Sequence, residues 1–446
     1  MKTKIILFAV LVGLTVNVVY AQTDSSRVHD FKLDNCISYA YEHQNAILNA
    51  KLDEQIAKYK VRETVGIGLP QINGSVNFQD FLAVPTSLVL GEFFNRPGEL
   101  VPVQFGVKYQ STPGISINQL LFDGSYLVGL QASKTFKELS ARALTRTKVE
   151  TAVAVTQAYY SVLIANERLG LLDANIKRLQ KTLYDTQQLL KNGFVEKIDV
   201  DRLTVLSNNI QTERSNVLRL LDLNNNLLKF QMGMSIGDKL IIYEKIEDIN
   251  FSKEIILADT TAFLNRPEFA LLQTQKKLNQ LDLKRYKFQF LPSLSAFGNF
   301  SEVFQSNNFN TLYDRSFPTS LIGLQLNVPI FSGGQKYYRV KQAQLAVKKS
   351  DNDLYNLQNG INLQINQSQT AYINGLESLE NQKRNRELAQ EVLRVTKIKY
   401  EQGIGSSLEV TTAETSLKES ETNYINSLYD ALNNKVNLDK ALGRIQ

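Results

Sequence analysis

Two stretches of 67 residues without a proline, 125–191 and 335–401, constrain this chain more than anything else in it. In the second, Leu354, Leu357, Ile361, Ile365, Tyr372, Leu376 and Leu379 recur at spacings of 3, 4 or 7. Leu388, Val392 and Val395 continue the pattern, which is that of an amphipathic helix. At ~1.5 Å per residue each helix is roughly 100 Å long, too long for a globular core, so a coiled coil or a helical wall is required. Each run ends in a glycine break, Asn192-Gly193-Phe194-Val195 in the first and Gln402-Gly403-Ile404-Gly405-Ser406-Ser407 in the second. Shorter helices then return over 198–232 and 408–442.

The chain therefore spells one hairpin twice. Gly193 and Gly403 differ by 210, as do Asp199 and Glu409, Val200 and Val410, and Gly233 and Gly443. Upstream, Phe122-Asp123-Gly124 echoes Phe331-Ser332-Gly333, and Leu69-Pro70 echoes Leu291-Pro292. Such a period is far longer than a solenoid unit, so the chain is two pseudo-equivalent halves. Residues 33–65 read as a helix closed by Gly66-Ile67-Gly68-Leu69-Pro70. Its length and that of 198–232 together match one long helix, so two short helices stacked end to end would stand beside one long one. Asn265-Arg266-Pro267-Glu268 opens the corresponding short helix of the second half, with Asn265 as cap and a first-turn proline, running to about Gln289.

After each Leu-Pro the period changes to two. Ile72, Gly74, Val76 and Phe78 alternate with Gln71, Asn73, Ser75, Asn77 and Gln79. Val103, Phe105, Val107 and Tyr109 start a second segment whose parity Ile115 and Ile117 keep, and Leu294 and Ala296 open a third. Ile322, Leu324, Leu326, Val328 and Ile330 form the fourth. The segments, about 71–81, 103–121, 292–304 and 318–331, are long enough for tilted membrane strands. A soluble half-buried sheet alternates in the same way. Export, strand length and aromatics near strand ends (Phe81, Phe93, Phe94, Phe304, Phe309, Tyr313, Phe317) favour the membrane reading. Four strands cannot close a barrel, and open edges are not tolerated in lipid, so the chain is expected to be an obligate oligomer of two or three copies.

Export itself is read from the N-terminus. Lys2 and Lys4 precede an apolar run over 5–20, and Val19-Tyr20-Ala21 supplies a cleavage site, so 1–21 is expected to be a secretory signal rather than a membrane anchor. Without it, 48 basic residues stand against 44 acidic ones, a balance that reads as solvated helix faces rather than a nucleic-acid footprint. The single cysteine, Cys36, excludes an intrachain disulfide, and His29 and His43 have no companions for a metal site. No phosphate loop and no nucleophile–base constellation occurs, so neither enzyme chemistry nor a cofactor is expected. Residues 316–335 and 354–376 are uncharged but too rich in Pro, Gly, Asn, Gln, Ser and Thr for transmembrane helices.

The order of helix, Leu-Pro, strand, loop, strand, Phe-x-Gly, long helix, glycine tip and returning helix, twice over, resembles the TolC family of outer-membrane efflux and type I secretion channels. The closest segments are Tyr400-Glu401-Gln402-Gly403 running into Leu408-Glu409-Val410, Asn192-Gly193-Phe194-Val195 running into Ile198-Asp199-Val200, and Asn265-Arg266-Pro267-Glu268. The resemblance implies a mainly α protein with β-strands, in two repeats over 22–233 and 255–446, the inter-repeat segment 234–254 joining an equatorial belt. Hairpins 125–232 and 335–442 would build a periplasmic α-barrel, and the strands of a homotrimer would build a 12-stranded barrel in outer-membrane lipid. Residues 81–102 and 302–316 would be extracellular loops. Gly193, Phe194, Gly403 and Gly405 would mark the entrance and the docking place for a periplasmic adaptor, served by an inner-membrane transporter of RND, ABC or MFS type.

The family's gate carries over in part. A tip tyrosine that bonds an aspartate corresponds to Tyr400 with Asp199, and Arg202 is placed to pair with the same aspartate. A family arginine falls on Gly405, so that link is absent. The acidic ring at the entrance maps to Glu409, whereas a second ring falls on Thr412, which leaves one carboxylate ring. A carboxylate in the first turn of a helix is also favoured by the helix dipole alone, so Asp199 and Glu409 have a purely structural reading as well. A periplasmic coiled-coil adaptor or scaffold is the competing function, although such proteins normally carry one hairpin per chain.

Overall fold

The computed structural model describes residues 28–242, 244 and 262–445. The candidate leader and most of the inter-repeat segment lie outside them. The element order is β1 (Val28–Phe31), α1 (Leu33–His43), α2 (Asn45–Ile67), β2 (Gln71–Asp80), β3 (Thr86–Leu90), β4 (Leu100–Gln104), β5 (Tyr109–Phe122), α3 (Gly124–Lys191) and α4 (Lys197–Met232). Then follow β6 (Lys239–Ile242), α5 (Pro267–Phe288), β7 (Ser293–Ser306), β8 (Ser316–Asn327), α6 (Gln335–Glu401) and α7 (Ser407–Ala441).

The molecule is built of four columns in one order. β2, β5, β7 and β8 form an antiparallel sheet in that sequence. β2 follows α2, β5 leads into α3, β7 follows α5, and β8 leads to α6. The helices pack in the same order, α2 on α3, α3 on α5 and α5 on α6. Further down, α4 continues the column of α2 and α7 that of α5. The long helices α3 and α6, of 68 and 67 residues, run the height of the bundle.

Two close approaches create the end-to-end stacks. Gly233 ends α4 with φ 73°, and a Cβ there would lie 2.5 Å from the carbonyl oxygen of His43, where α1 gives way to α2. Gly443, just past α7, has φ 68°, and its Cβ would lie 2.9 Å from Asn265, just before α5. Only glycine allows both the left-handed backbone and the contact.

Several expectations need correction. Residues 33–65 are not one helix: the chain breaks at Gln44, whose ψ of 124° leaves the helical region, and α2 starts afresh. Asn265 is not the cap of α5. Arg266 holds that position, with Pro267 in the first turn as expected. The second membrane strand begins at Tyr109 rather than 103, because Gly106 at φ 141° turns the chain. Residues 100–104 instead form β4, which pairs with β3 in a small hairpin inside the first loop. β7 reaches Ser306, which shortens the second loop, and β8 stops at Asn327, short of Pro329 and Phe331. A short parallel pair, β1 with β6, was not foreseen.

The packing changes along the bundle. In the upper middle, Cys36 and Ala40 of α1 meet Val155, Tyr159 and Val162 of α3 and Leu228 and Met232 of α4. Below it, Leu172 and Leu179 of α3 mesh with Leu203, Ile210 and Val217 of α4 at heptad spacing, a coiled-coil seam. The α6–α7 hairpin packs Ile361, Ile365 and Tyr372 against Leu438 away from its tip, and Leu393 against Ala413 and Leu417 nearer to it.

Candidate functional site at the hairpin tips and the seam above them

The two tips are built alike. At the end of α3, the Gly193 amide donates to Leu190 and the Phe194 amide to Leu189, the latter at 3.0 Å, and Gly193 takes φ 75°. At the end of α6, Gly403 donates to Tyr400 and Ile404 to Lys399, again at 3.0 Å, with φ 77° at Gly403. Both are helix ends closed by a left-handed glycine, and each needs that glycine for the reversal. A Cβ on Gly405 would press on Tyr400 and Lys399 at 3.0–3.2 Å, so the position where the resemblance leads one to expect an arginine is crowded here.

The returning helices start with carboxylates. Asp199 accepts from the Glu196 amide at 3.2 Å, and Arg202 approaches it at 3.7 Å. Ser406 caps α7 by accepting from the Glu409 amide, and the Glu409 side chain is exposed. The Thr412 hydroxyl donates back to Leu408 on its own helix. The expected bond between Tyr400 and Asp199 is not made. The Tyr400 hydroxyl is buried without a hydrogen-bond partner among the described residues, and Asp199 is engaged by Glu196 and Arg202 instead. The Tyr400 ring lines a groove of about 490 Å³ between α3 and α6, together with Lys177, Lys181 and Lys397.

Above the tips, the two hairpins touch where α3 meets α7, and that seam is polar. Gln157 donates to Asn437 at 3.2 Å, and the Ser161 and Tyr429 hydroxyls share a bond at 3.2 Å. Asn175 donates to Glu421 at 2.6 Å, and Arg178 donates to Glu414 at 3.1 Å. Lys397 of α6 reaches the other Glu414 oxygen at 3.0 Å and Thr182 of α3 at 2.8 Å. Arg178 also donates to Asn175, which joins Lys397, Glu414, Arg178, Asn175 and Glu421 into one network across three helices. A second group ties Glu213 of α4 to Arg168 and Lys418 at 2.8 and 2.7 Å.

These charges are not the solvated faces that the composition suggested. Glu414 is 4% exposed and Glu421 6%. Burial pushes the Glu421 carboxyl above the usual range, because Asn175 and the more distant Arg178 and Arg386 do not fully offset the lost hydration. Glu213 is also partly buried, yet hydrogen bonds from Lys418 and Arg168 outweigh that and hold it below the usual range. The sequence carried a signal for this network: Glu414 and Glu421 stand seven apart on the same stripe as Val410, Ala413 and Leu417, where a solvated carboxylate does not belong.

The contrast between seams has an energetic meaning. Parting two leucine-packed helices exposes side chains worth ~1.5–3 kcal/mol each. Parting a polar seam exchanges protein hydrogen bonds for water, a net of about 1 kcal/mol per bond. Each polar contact of the α3–α7 seam therefore resists separation less than a leucine of the α3–α4 seam does.

Comparison with known proteins agrees with this architecture. Residues 261–444 match a family model described as outer membrane efflux protein. The fold is that of solved outer-membrane channels. Among solved structures, CusC, whose crystal structures concern folding and transmembrane channel formation, superposes with a TM-score of 0.77 over 93% of this chain and 92% of its own, at 18% identity. Among curated relatives, the alkaline protease secretion protein AprF of Pseudomonas aeruginosa is 24% identical over 55% of this chain. The proteases secretion protein PrtF of Dickeya chrysanthemi is 21% identical over 69%. The alignments span 51% and 66% of those two relatives.

Proposed function

We propose that this protein is an outer-membrane export duct of a tripartite efflux or type I secretion system. It conducts substrates passively from a periplasmic adaptor and an inner-membrane transporter to the outside. The observation that carries the reading is the sheet. In register, Ile72 lies opposite Ile117, Ile117 opposite Gly298, and Gly298 opposite Ile322, so these share one face with Val76, Phe78, Ile115, Leu324 and Leu326. The other face carries Gln71, Asn73, Ser75, Asn118, Ser116, Asn299 and Gln325. Ile322, Leu324 and Leu326 are 92%, 70% and 63% exposed, which suits lipid on one face and a watery lumen on the other.

β2 and β8 have no second strand partner among the described residues. In lipid each unpaired backbone group costs several kcal/mol, so two open edges would cost tens, against a typical stability of ~5–15 kcal/mol. The edges must be sealed by other copies. The family resemblance favours three copies, hence twelve strands, with the helical columns closing a tunnel below in the same order. Within this proposal residues 1–21 are the export leader, 22–233 and 255–446 the two repeats, and 234–254 part of the belt between them. Gly193, Phe194, Gly403 and Gly405 lie where an adaptor would dock, and Glu409 is the entrance carboxylate. Among the described residues no helix is long and apolar enough to cross a membrane, and no cluster of His, Cys, Asp and Glu could hold a metal ion. The barrel is thus the one membrane element the proposal uses.

Reconstitution into planar bilayers tests the reading. Purified protein should give stepwise ion conductance, and the cellular protein should stay in the outer-membrane fraction after carbonate and high-salt washes. A protein released by those washes, without conductance, would be the periplasmic scaffold instead.

A further inference from the structure

The helices are at their most basic just under the sheet. Within about four turns of it lie the ends of α2 and α5 (58–67 and 281–290) and the starts of α3 and α6 (124–137 and 335–348). These four segments hold twelve basic residues against two acidic ones, Glu63 and Asp282, and those two are already paired with Lys60 and Arg285. The loop end of the sheet has the opposite balance: 80–108 and 302–315 carry five acidic residues against three basic ones. Arg62, Lys134, Lys284, Lys287 and Lys341 are exposed and make no ion pair among the described residues. Lys284 lies over the Phe288 ring at 5.5 Å, and Lys341 over the Tyr337 ring at 5.5 Å, so cations and aromatic faces are paired at this level.

The hand of the chain sets the side these residues take. The Phe81 amide donates to Lys108 at 2.8 Å, so the odd positions of β2, which carry its polar face, bond to β5. An L-residue on a strand rising toward the loops, seen with its side chain toward the viewer, holds its N–H and C=O to the right. Seen from the apolar face, the columns therefore run from α2 on the right to α6 on the left. Between α3 and α6, α5 rises and meets α6 through Lys276, 2.6 Å from Asp351, and Asn279, 2.8 Å from Ser350. In a right-handed helix so placed, Lys284 and Lys287 face the viewer, on the side of the sheet that carries Ile72, Ile322 and Leu324. By the same geometry Arg62, Lys134 and Lys341 lie on that side.

We propose that this basic collar binds the anionic phospholipid headgroups, of the phosphatidylglycerol type, in the periplasmic leaflet. The apolar face of the sheet runs into the collar, so the leaflet that wets Ile72 and Leu326 meets Arg62 and Lys341 next. A headgroup layer extends ~5–8 Å beyond the hydrocarbon core, and lysine and arginine stems rise toward it. Charges set lower down still act on it within a Debye length of ~8 Å. The inference rests on the outer-membrane reading, because a leaflet reaches the collar only if the sheet stands in lipid.

The probe is dioleoylphosphatidylglycerol, titrated into the detergent-purified protein beside dioleoylphosphatidylcholine, with the rise in melting temperature as the readout. The wild-type protein should respond to the anionic lipid at a concentration about tenfold lower or less, and the preference should shrink in high salt. Lys284→Gln, Lys287→Gln and Lys341→Gln together should abolish the preference, whereas arginine at the same three positions should keep it. Arg96→Gln, Lys108→Gln and Arg315→Gln together, which neutralise the loop end, should leave it intact. A preference that survives the collar variant, or one lost equally in the loop variant, overturns the proposal. Equal response of the wild type to the two lipids overturns it as well and leaves the collar to an acidic protein partner. Inorganic phosphate that matches the lipid's effect would make this a free-anion site and likewise overturn it. A protein that stays dissolved without detergent and responds to neither lipid fails the outer-membrane reading instead.

Discussion

The side-chain amide of Gln44 donates to the carbonyl of Gln231 at 3.0 Å, and to that of Phe230 at 3.3 Å, so the break between α1 and α2 is pinned to the end of α4. The second repeat solves the same problem with a different residue. There Arg266, 4% exposed, donates to the Ala441 carbonyl at 3.2 Å, to Gln364 at 3.2 Å and to both oxygens of Glu268 at 3.1 Å. In each case a side chain at the start of one helix satisfies the carbonyls that the end of another leaves open.

Removing the pins should therefore differ in size. Gln44→Ala should lower stability by about 1 kcal/mol, the worth of a neutral bond partly open to water. Arg266→Ala should cost about 3 kcal/mol, because Glu268 and the Ala441 carbonyl lose their partner inside the protein. Thermal unfolding followed by far-ultraviolet circular dichroism ranks the two variants, and equal losses would contradict the assignment.

The glycines separate into two kinds in the same assay. Gly193→Ala and Gly403→Ala should each cost ~1 kcal/mol, since a Cβ at either tip meets nothing within 4 Å and only the backbone preference is lost. Gly233→Ala and Gly443→Ala should cost more, ~2–4 kcal/mol, since the same strain is joined by a clash with backbone of the abutting helix. Urea titrations of the four variants give the order, and tip variants that are the more damaged would refute the stacking.

How much of this was readable beforehand follows from which signals are local. The long helices were plain because the proline-free runs and the tip glycines are spelled in the chain. The column stacking was legible as a match of helix lengths, but the break at Gln44 was not, since His43-Gln44-Asn45 contains no glycine or proline to announce it. The alternation of 103–109 looked like strand, and Gly106 diverted it, so a loop hairpin took residues that parity alone assigned to the barrel. The tip carboxylates were found at their positions, but the Tyr400–Asp199 bond came from resemblance and the helix geometry does not make it. The Glu414 network was missed because it depends on which helix faces which, and charges on long helices are most often solvated.

Glu421 makes a pH prediction. Its carboxyl is raised by burial in the folded state, so the fold binds the proton more tightly than the unfolded chain does. The stability it contributes is present below the ordinary carboxyl value of ~4.3 and is lost as pH rises through the raised one. Glu421→Gln keeps an oxygen for Asn175 and never ionises. It should melt higher than wild type at neutral pH, and the difference should close as the pH falls toward ~4. A difference that persists unchanged at that pH would show that Glu421 is not the titrating group.

Glu409 makes an ionic one. On the proposed duct reading, with Thr412 where a second carboxylate would stand, Glu409 forms a single acidic ring at the entrance, and block by divalent cations should be weak and should disappear in Glu409→Ala. Single-channel recordings with and without magnesium measure this, and block that survives the substitution would place the cation site elsewhere.

The most direct measurement concerns the open edges of β2 and β8. The mass of the assembly, taken by native mass spectrometry after extraction from outer membranes in mild detergent, counts the chains that share one barrel. Three chains, stable only with detergent or lipid, is the predicted result. A single chain that stays dissolved in plain buffer with its four-stranded sheet intact would contradict it.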